Sequence, residues 1–250
     1  MRKILLVGLA VLLTALAAWG RPLVVAHRGG AALGKENSLR LFQKALELGV
    51  DAIELDIHQS ADGHLVVLHD VSLKRTHGLD RRVDQMNLAE LGRAGVPTLQ
   101  EAIDTIDGRC ILLVEVKHPA PARYQGIEKR LHALLKKNDL LKSAVVISFD
   151  TTTLKLLHKL EPTLKTGYLY ATPGVSPVQA KARFGVTYLC PYYRFASIEL
   201  IDQAHAAGLK INAWTVNDEP AMEKLVQSGC DAVTTDHPDL LQKMLGPISR

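Results

Sequence analysis

Eight times between Leu23 and Leu245 a short apolar run is followed by a segment carrying one apolar face, and this alternation restricts the fold more than any other feature. The runs are Leu23–Ala26, Ala52–Ile57 with its continuation Leu65–Leu68, Ile111–Val116, Val145–Phe149, Thr166–Tyr170, Thr187–Pro191, Lys210–Val216 and Ala232–Thr235. Short, nearly continuous apolar runs suit strands buried on both faces, as in a parallel sheet. The intervening segments Leu39–Leu48, Pro97–Ile106, Tyr124–Lys137, Thr153–Leu160, Pro177–Phe184, Ser197–Ala207, Pro220–Ser228 and Leu240–Leu245 read as helices. Ser38 is placed to cap the first of them, and Gly49 and Gly208 to stop two. Eight strand–helix units predict a single-domain (β/α)8 barrel over residues 21–250, and a chain of 250 residues is long enough for one. A doubly wound open sheet is the alternative, but no Gly-rich nucleotide loop supports it. Residues 71–96 break the pattern: Val71–Val96 is polar and irregular, with a helical piece near Leu88–Leu91, and reads as an insertion-like loop region.

The front of the chain is of another kind. Arg2 and Lys3 precede an uncharged run from Ile4 to Trp19, and small-x-small sites stand at Ala15-Leu16-Ala17 and Ala18-Trp19-Gly20. That is the pattern of a secretory signal. The run is shorter than the roughly 20 residues that span a bilayer comfortably. Residues 1–20 are therefore expected to direct export to a periplasmic or secreted location, with membrane anchoring through residues 4–19 as the alternative. The formal charge of +4 falls to +2 without this segment, since it holds two basic residues and no acids. So mild a charge gives no reason to expect a nucleic-acid partner. Cys110, Cys190 and Cys230 lie too far apart for a metal motif and read as buried thiols.

In a barrel of this kind chemistry sits at the carboxyl ends of the strands, and the polar residues fall there repeatedly. Glu54 and Asp56 stand two apart on one strand and so share a face. Like charges at that range resist joint ionisation, and a hard divalent cation relieves the conflict. The Asp62-Gly63 turn and the run after it deliver His69 and Asp70. His27 and Arg28 close the first strand, Glu115 and Lys117 the third, Trp214 and Asn217 the seventh, and Asp236-His237 the eighth. Three carboxylates, Glu54, Asp56 and Glu115, suit Ca2+ or Mg2+ better than zinc. His27 and His69 can serve as an acid–base pair, while Arg28 and Lys117 suit a phosphate. The combination points to phosphoryl transfer. His58 shares the face of Glu54 and Asp56 and is expected to be a polar barrel residue rather than a support of the metal site. His237 reads as a loop residue beside the pocket, and His64, His77, His118, His132, His158 and His205 as surface or structural.

Taken together, His27-Arg28-Gly29, Glu36-Asn37, Glu54-x-Asp56, Asp62-Gly63, His69-Asp70, Glu115-x-Lys117, Trp214-Thr215-Val216-Asn217 and Thr235-Asp236-x-Pro238 resemble the glycerophosphodiester phosphodiesterases. The resemblance runs from Leu23 to Leu245. It implies a TIM-barrel enzyme that splits a diester such as glycerophosphocholine or glycerophosphoethanolamine into glycerol 3-phosphate and an alcohol. It further implies that Glu54, Asp56 and Glu115 hold one divalent cation, Ca2+ or Mg2+, and that His27 and His69 are general base and acid in either order. By the same match Arg28 and Lys117 neutralise the phosphate, Trp214 contacts substrate, Asn37 supports the site, and Glu36 orients the first-strand loop or touches the metal. Residues after His69 match the family's insertion, which forms part of the substrate pocket. Lys35, Ser38 and Ser60 depart from the family's usual residues outside the chemistry.

Two other readings stand beside it. One is a lysophospholipase D or sphingomyelinase D-like activity on lipids, with Leu33, Leu79, Tyr192 and Tyr193 lining an apolar entrance and the membrane as a partner. The other is a catalytically silent protein that only binds the diester, for which two histidines have no evident use.

Overall fold

The structure, a computed structural model, describes residues 20–172 and 174–246. The expected leader therefore lies, Gly20 aside, outside the described residues. Nine strands form one sheet: β1 (Leu23–Ala26), β2 (Ala52–Gln59), β3 (Leu65–Val67), β4 (Ile111–Val116), β5 (Val145–Ser148), β6 (Lys165–Tyr170), β7 (Tyr188–Pro191), β8 (Lys210–Ala213) and β9 (Ala232–Thr235). Eight of them are parallel, and the β1–β2 and β1–β9 pairings close the ring, as the alternation predicts. The ninth, β3, is the returning arm of a hairpin: it runs antiparallel to the outer half of β2, with His58 opposite Val66. The helices are α1 (Leu39–Glu47), α2 (Lys74–His77), α3 (Leu88–Arg93), α4 (Leu99–Ile106), α5 (Ile127–Lys137), α6 (Thr151–Leu160), α7 (Pro177–Phe184), α8 (Ile198–Ala206), α9 (Glu219–Gln227) and α10 (Pro238–Leu245).

Local chemistry sets the ends of these elements. The Ser38 hydroxyl accepts from the Leu41 amide and starts α1. Reciprocal capping boxes, Asn87 with Glu90 and Thr98 with Glu101, start α3 and α4. Two strands end earlier than their apolar runs suggest. β5 stops at Ser148 because Asp150 turns the chain by capping α6, and β8 stops at Ala213, leaving Trp214 in a single bridge to Tyr192. The fifth helix begins at Ile127 rather than Tyr124, because Gly126 precedes it in a left-handed conformation.

The two-residue strand period sorts side chains between two cores. Ile53, Leu55 and Ile57 of β2 point outward and are fully buried among helix residues such as Phe42, Leu99 and Leu131. Each such side chain contributes about 1.5–3 kcal/mol through burial. Val25, Ala52, Leu113, Ile147, Leu169 and Cys190 point inward and fill the barrel. Gly167 sits where that interior is tightest: a Cβ there would meet Cys190 Sγ at 2.8 Å and Ile147 Cγ2 at 3.0 Å. Ala52 points inward, so Glu54 and Asp56 follow it onto the barrel axis, towards the carboxyl end.

Residues 71–96 hold the helical piece expected near Leu88–Leu91 and more order besides. They fold into α2, α3 and a short 3-10 turn around a small core of their own, Leu73, Val83, Met86, Leu91 and Val96, which packs on Val66 and Leu68. Their apolar residues are too irregularly spaced for either strand or helix periodicity to flag them. Cys190 and Cys230 are buried and Cys110 half-buried, all as free thiols.

Gly167→Ala is expected to lower stability by about 1–3 kcal/mol through overpacking, read as a shift in the urea midpoint with an unchanged slope.

Candidate active site

The carboxyl end of the barrel gathers the polar residues singled out above. Glu54, Asp56 and Glu115 are 1%, 0% and 6% exposed, and one oxygen from each lies within 4.8 Å of the others. Parallel pairing sets Asp56 directly beside Glu115. Lys117 answers this charge: its Nζ lies 2.5 Å from Glu115 Oε1 and 3.1 Å from Asp56 Oδ1. Burial lowers the Lys117 affinity for its proton, but Asp56 and Glu115 outweigh that and raise it. Asp56 has the best-compensated carboxyl. Burial pushes it up, yet Lys117, His69 and Arg28 hold it well below the ordinary range, and Asn37 Nδ2 donates to it at 2.9 Å. Glu54 and Glu115 move the other way. Burial, then the charges of Asp56 and Glu115, raise Glu54, and burial lifts Glu115 to about 7 despite Lys117. Burial thus shifts two of the three acids toward their protonated forms.

The loop after β1 wraps this group. Arg28 adopts a left-handed conformation, φ 51°, which costs a side chain of its size on the order of 1 kcal/mol. The turn aims its amide at Glu54 Oε2, 2.8 Å away, and its guanidinium at Glu36 (3.1 Å) and Asp56 (3.5 Å). Gly29 follows at φ +87°, and a Cβ there would meet Phe42 at 2.8 Å, so the loop lies directly on α1. Asn37 is likewise left-handed, and its amide donates to the Arg28 carbonyl at 2.9 Å. Glu36 is held between Arg28 and Arg75.

Both candidate acid–base histidines have an aspartate on Nδ1. His27 Nδ1 meets Asp236 Oδ1 at 2.6 Å, and His69 Nδ1 meets Asp70 Oδ1 at 2.6 Å. A carboxylate only accepts, so each Nδ1 carries hydrogen and Nε2 is left for another partner. Asp236 is fixed in turn by Asn217 Nδ2 at 2.6 Å, and Asp70 by Arg75 Nε at 2.6 Å. Burial is the main cause of a lowered His69 pKa, only partly offset by Asp56. His58 stands behind His69. Its Nε2 reaches the His69 carbonyl at 3.0 Å and its Nδ1 the Tyr124 hydroxyl at 2.8 Å. A carbonyl accepts only, so His58 donates from Nε2 and Tyr124 donates to Nδ1. Burial depresses His58 to about 4 and keeps it neutral in this role. It is buried in the barrel and carries the backbone of His69.

Trp214 lies on another part of the rim. Its Nε1 donates to the Cys190 carbonyl at 2.7 Å, and its ring stands edge-on to Phe149 and Tyr192, with centroids 5.3 and 5.9 Å away. Tyr192 and Tyr193 join this aromatic group, whereas Leu33 lines a groove of about 690 Å3 along α1 with Lys35, Arg40 and Lys44. The face thus has an ionic half on β1, β2, β4 and β9 and an aromatic half on β5, β7 and β8. The sequence does not single out Tyr124 or Arg75 for the site. For Asn217, Asp236 and Asp70 the signal is their position beside or at the end of a site strand.

The acids also set a stability test. Between pH 4.5 and about 7 the unfolded chain releases the Glu115 proton while the folded chain retains it, so this group makes stability fall as pH rises through that window. With chelator present, Glu115→Gln is expected to gain on the parent by on the order of 1–3 kcal/mol between pH 5 and pH 8, compared by urea unfolding at both.

Comparison with known proteins bears directly on this arrangement. Residues 27–240 match the model of the glycerophosphoryl diester phosphodiesterase family. A glycerophosphodiester phosphodiesterase of Caldanaerobacter subterraneus subsp. tengcongensis is 33% identical over 235 residues, covering 88% of this chain and 96% of the relative. An Oleispira antarctica phosphodiesterase, solved in complex with the product sn-glycerol-3-phosphate, superposes with a TM-score of 0.80 at 28% identity over 90% of this chain and 97% of that one. A glycerophosphodiester phosphodiesterase of Parabacteroides distasonis gives 0.79 at 28% identity, covering 90% and 97%. With the closed barrel and its polar rim already in view, these matches lead to one conclusion: the chain belongs to the glycerophosphoryl diester phosphodiesterase family, and it is an enzyme of that class.

Proposed function

We propose that this chain hydrolyses glycerophosphodiesters, with glycerophosphocholine and glycerophosphoethanolamine as examples, to glycerol 3-phosphate and a free alcohol, by proton exchange through His27 and His69 beside one divalent cation. The observation that carries the reading is the pair of imidazoles, each tied through Nδ1 to an aspartate at 2.6 Å, on the rim that holds the three buried carboxylates. One imidazole takes the proton of the attacking hydroxyl on Nε2 as the new P–O bond forms. The other gives its Nε2 proton to the departing alcohol oxygen as the old P–O bond breaks. The attacking hydroxyl is that of water or of the substrate's own glycerol, and the aspartates steady whichever ring is cationic. Arg28 and Lys117 present positive charge where the phosphate's nonbridging oxygens arrive.

The residues present fit a hard dication. Glu54, Asp56 and Glu115 supply only oxygens, and Glu54 Oε1 is buried with no hydrogen bond among the described residues. Those three would hold Ca2+ or Mg2+, which when bound withdraws charge from the phosphate in the transition state. Their protons must then leave, so metal affinity rises with pH through the range in which Glu115 titrates. Trp214 and the aromatic half suit the less polar part of the substrate. Arg2, Lys3 and the apolar run Ile4–Trp19 support action outside the cytoplasm, on diesters derived from lipid. A protein that merely bound the diester would gain nothing from two carboxylate-anchored imidazoles.

Turnover of glycerophosphocholine, coupled to glycerol 3-phosphate detection, should fall about a hundredfold or more in His27→Ala and in His69→Ala. Near-parental rates in either variant would remove that histidine from the reaction. Chelator should stop turnover and Ca2+ or Mg2+ restore it, with Glu54→Gln needing about 10-fold or more added cation for half-maximal rate. A rate indifferent to chelator would overturn the metal assignment.

A further inference from the structure

Arg75 sits on the one-turn helix α2 inside the 71–96 insertion, away from every strand end, yet it makes three short charged hydrogen bonds into the site. Its Nη1 and Nη2 grip the two oxygens of Glu36 at 2.7 Å each, while its Nε donates to Asp70 Oδ2 at 2.6 Å. Glu36 in turn accepts from Arg28 at 3.1 Å, and the other oxygen of Asp70 faces His69 Nδ1 at 2.6 Å. One guanidinium therefore bridges the loop that carries Arg28 and the carboxylate that orients His69. The other imidazole is treated differently, since Asp236 is steadied by the neutral amide of Asn217.

We propose that Arg75 is a positioning residue for the reaction, through which the insertion sets the tautomer and aim of His69 and ties that histidine to the phosphate-facing loop. The physical case rests on the fork. Five donors held in one plane let a guanidinium serve two carboxylates at once, an end-on pair and a side-on Nε, which the single ammonium of a lysine cannot reproduce. With the fork removed, Asp70 and Glu36 face each other's charge without a cation between them. Asp70 then swings toward solvent, and His69 loses the constraint on Nδ1. Burial pushes the Asp70 carboxyl up, and the hydrogen bonds from Arg75 and His69 more than reverse this, so the same contact keeps Asp70 ionised. The guanidinium is half exposed, and so is open to replacement from solution.

The inference depends on His69 taking part in proton transfer, as proposed above, and its test separates the two. In the full chain, Arg75→Ala is expected to lower kcat about 10- to 100-fold, the usual scale for a group that orients a reacting one, with KM changed less than about threefold. Millimolar guanidinium chloride should restore a measurable part of kcat in Arg75→Ala and none in His69→Ala. Arg75→Lys should remain deficient although it keeps the charge. Lys74→Ala, which removes a neighbouring exposed cation paired with Asp80, should match the parent and control for the charge of α2. Parental kcat in Arg75→Ala, while His69→Ala is inactive, would overturn the role of Arg75 alone. So would a loss that guanidinium does not restore, or full activity in Arg75→Lys. Parental turnover in His69→Ala would overturn the reading on which the inference rests.

Discussion

Glu54, Asp56 and Glu115 put like charge where water barely reaches, and the rest of the carboxyl face is arranged around that conflict. A barrel interior cannot dilute it, since the neighbouring layer is Ala52, Leu113 and Ile147. The chain settles part of it with Lys117 and the Arg28 loop, and settles it unevenly. Asp56, with Lys117, Arg28 and Asn37 around it, is held as an anion, while Glu54 and Glu115 are driven toward their acids. A cluster left in this state has room for a further positive charge, which the divalent cation of the proposed reaction would supply.

The strained first loop follows from the same requirement. Arg28 and Asn37 both adopt left-handed backbone conformations, and both use them to bring a donor to a carboxylate of β2. The Asn37 side chain is bound at both ends by Asp56, through Nδ2 to Oδ2 and through Oδ1 from the amide. Its specification is geometric as much as electrostatic, for few side chains reach backward into a neighbouring strand from φ 54°. Behind His69, His58 and Tyr124 serve the same purpose at longer range, a buried neutral pair holding a backbone carbonyl in place.

Much of this was legible from sequence wherever it depended on local periodicity. The spacing of Glu54 and Asp56, and of Glu115 and Lys117, fixes a common face before any fold is known, and the eight repeats fix which end of the strands those faces share. Asp70 follows His69 directly, but the other partners of the histidines were not legible in that way. Tyr124 reaches His58 across 66 positions and Asp236 reaches His27 across 209. Arg75 stands in Lys74-Arg75-Thr76-His77, a stretch that reads as solvated polarity, because the small core that places it is made of residues too scattered to show a period. Phe149 and Trp214 were counted into strands because apolarity alone does not show where a ladder stops. Contacts made by ring closure leave no trace in any short window.

Ring closure has a further consequence in time. β1 pairs with both β2 and β9, so the first strand finds its second neighbour only when residues 232–235 have arrived. Until then His27 has no Asp236, and the Arg28 loop, whose Gly30 lies against Pro238 and whose Ala32 amide bonds to the Asp236 carbonyl, has no wall on that side. A chain cut short before β9 lacks both the strand that closes the ring and the carboxylate on His27. Closing the barrel and completing the His27–Asp236 pair are thus one event, made by the last strand.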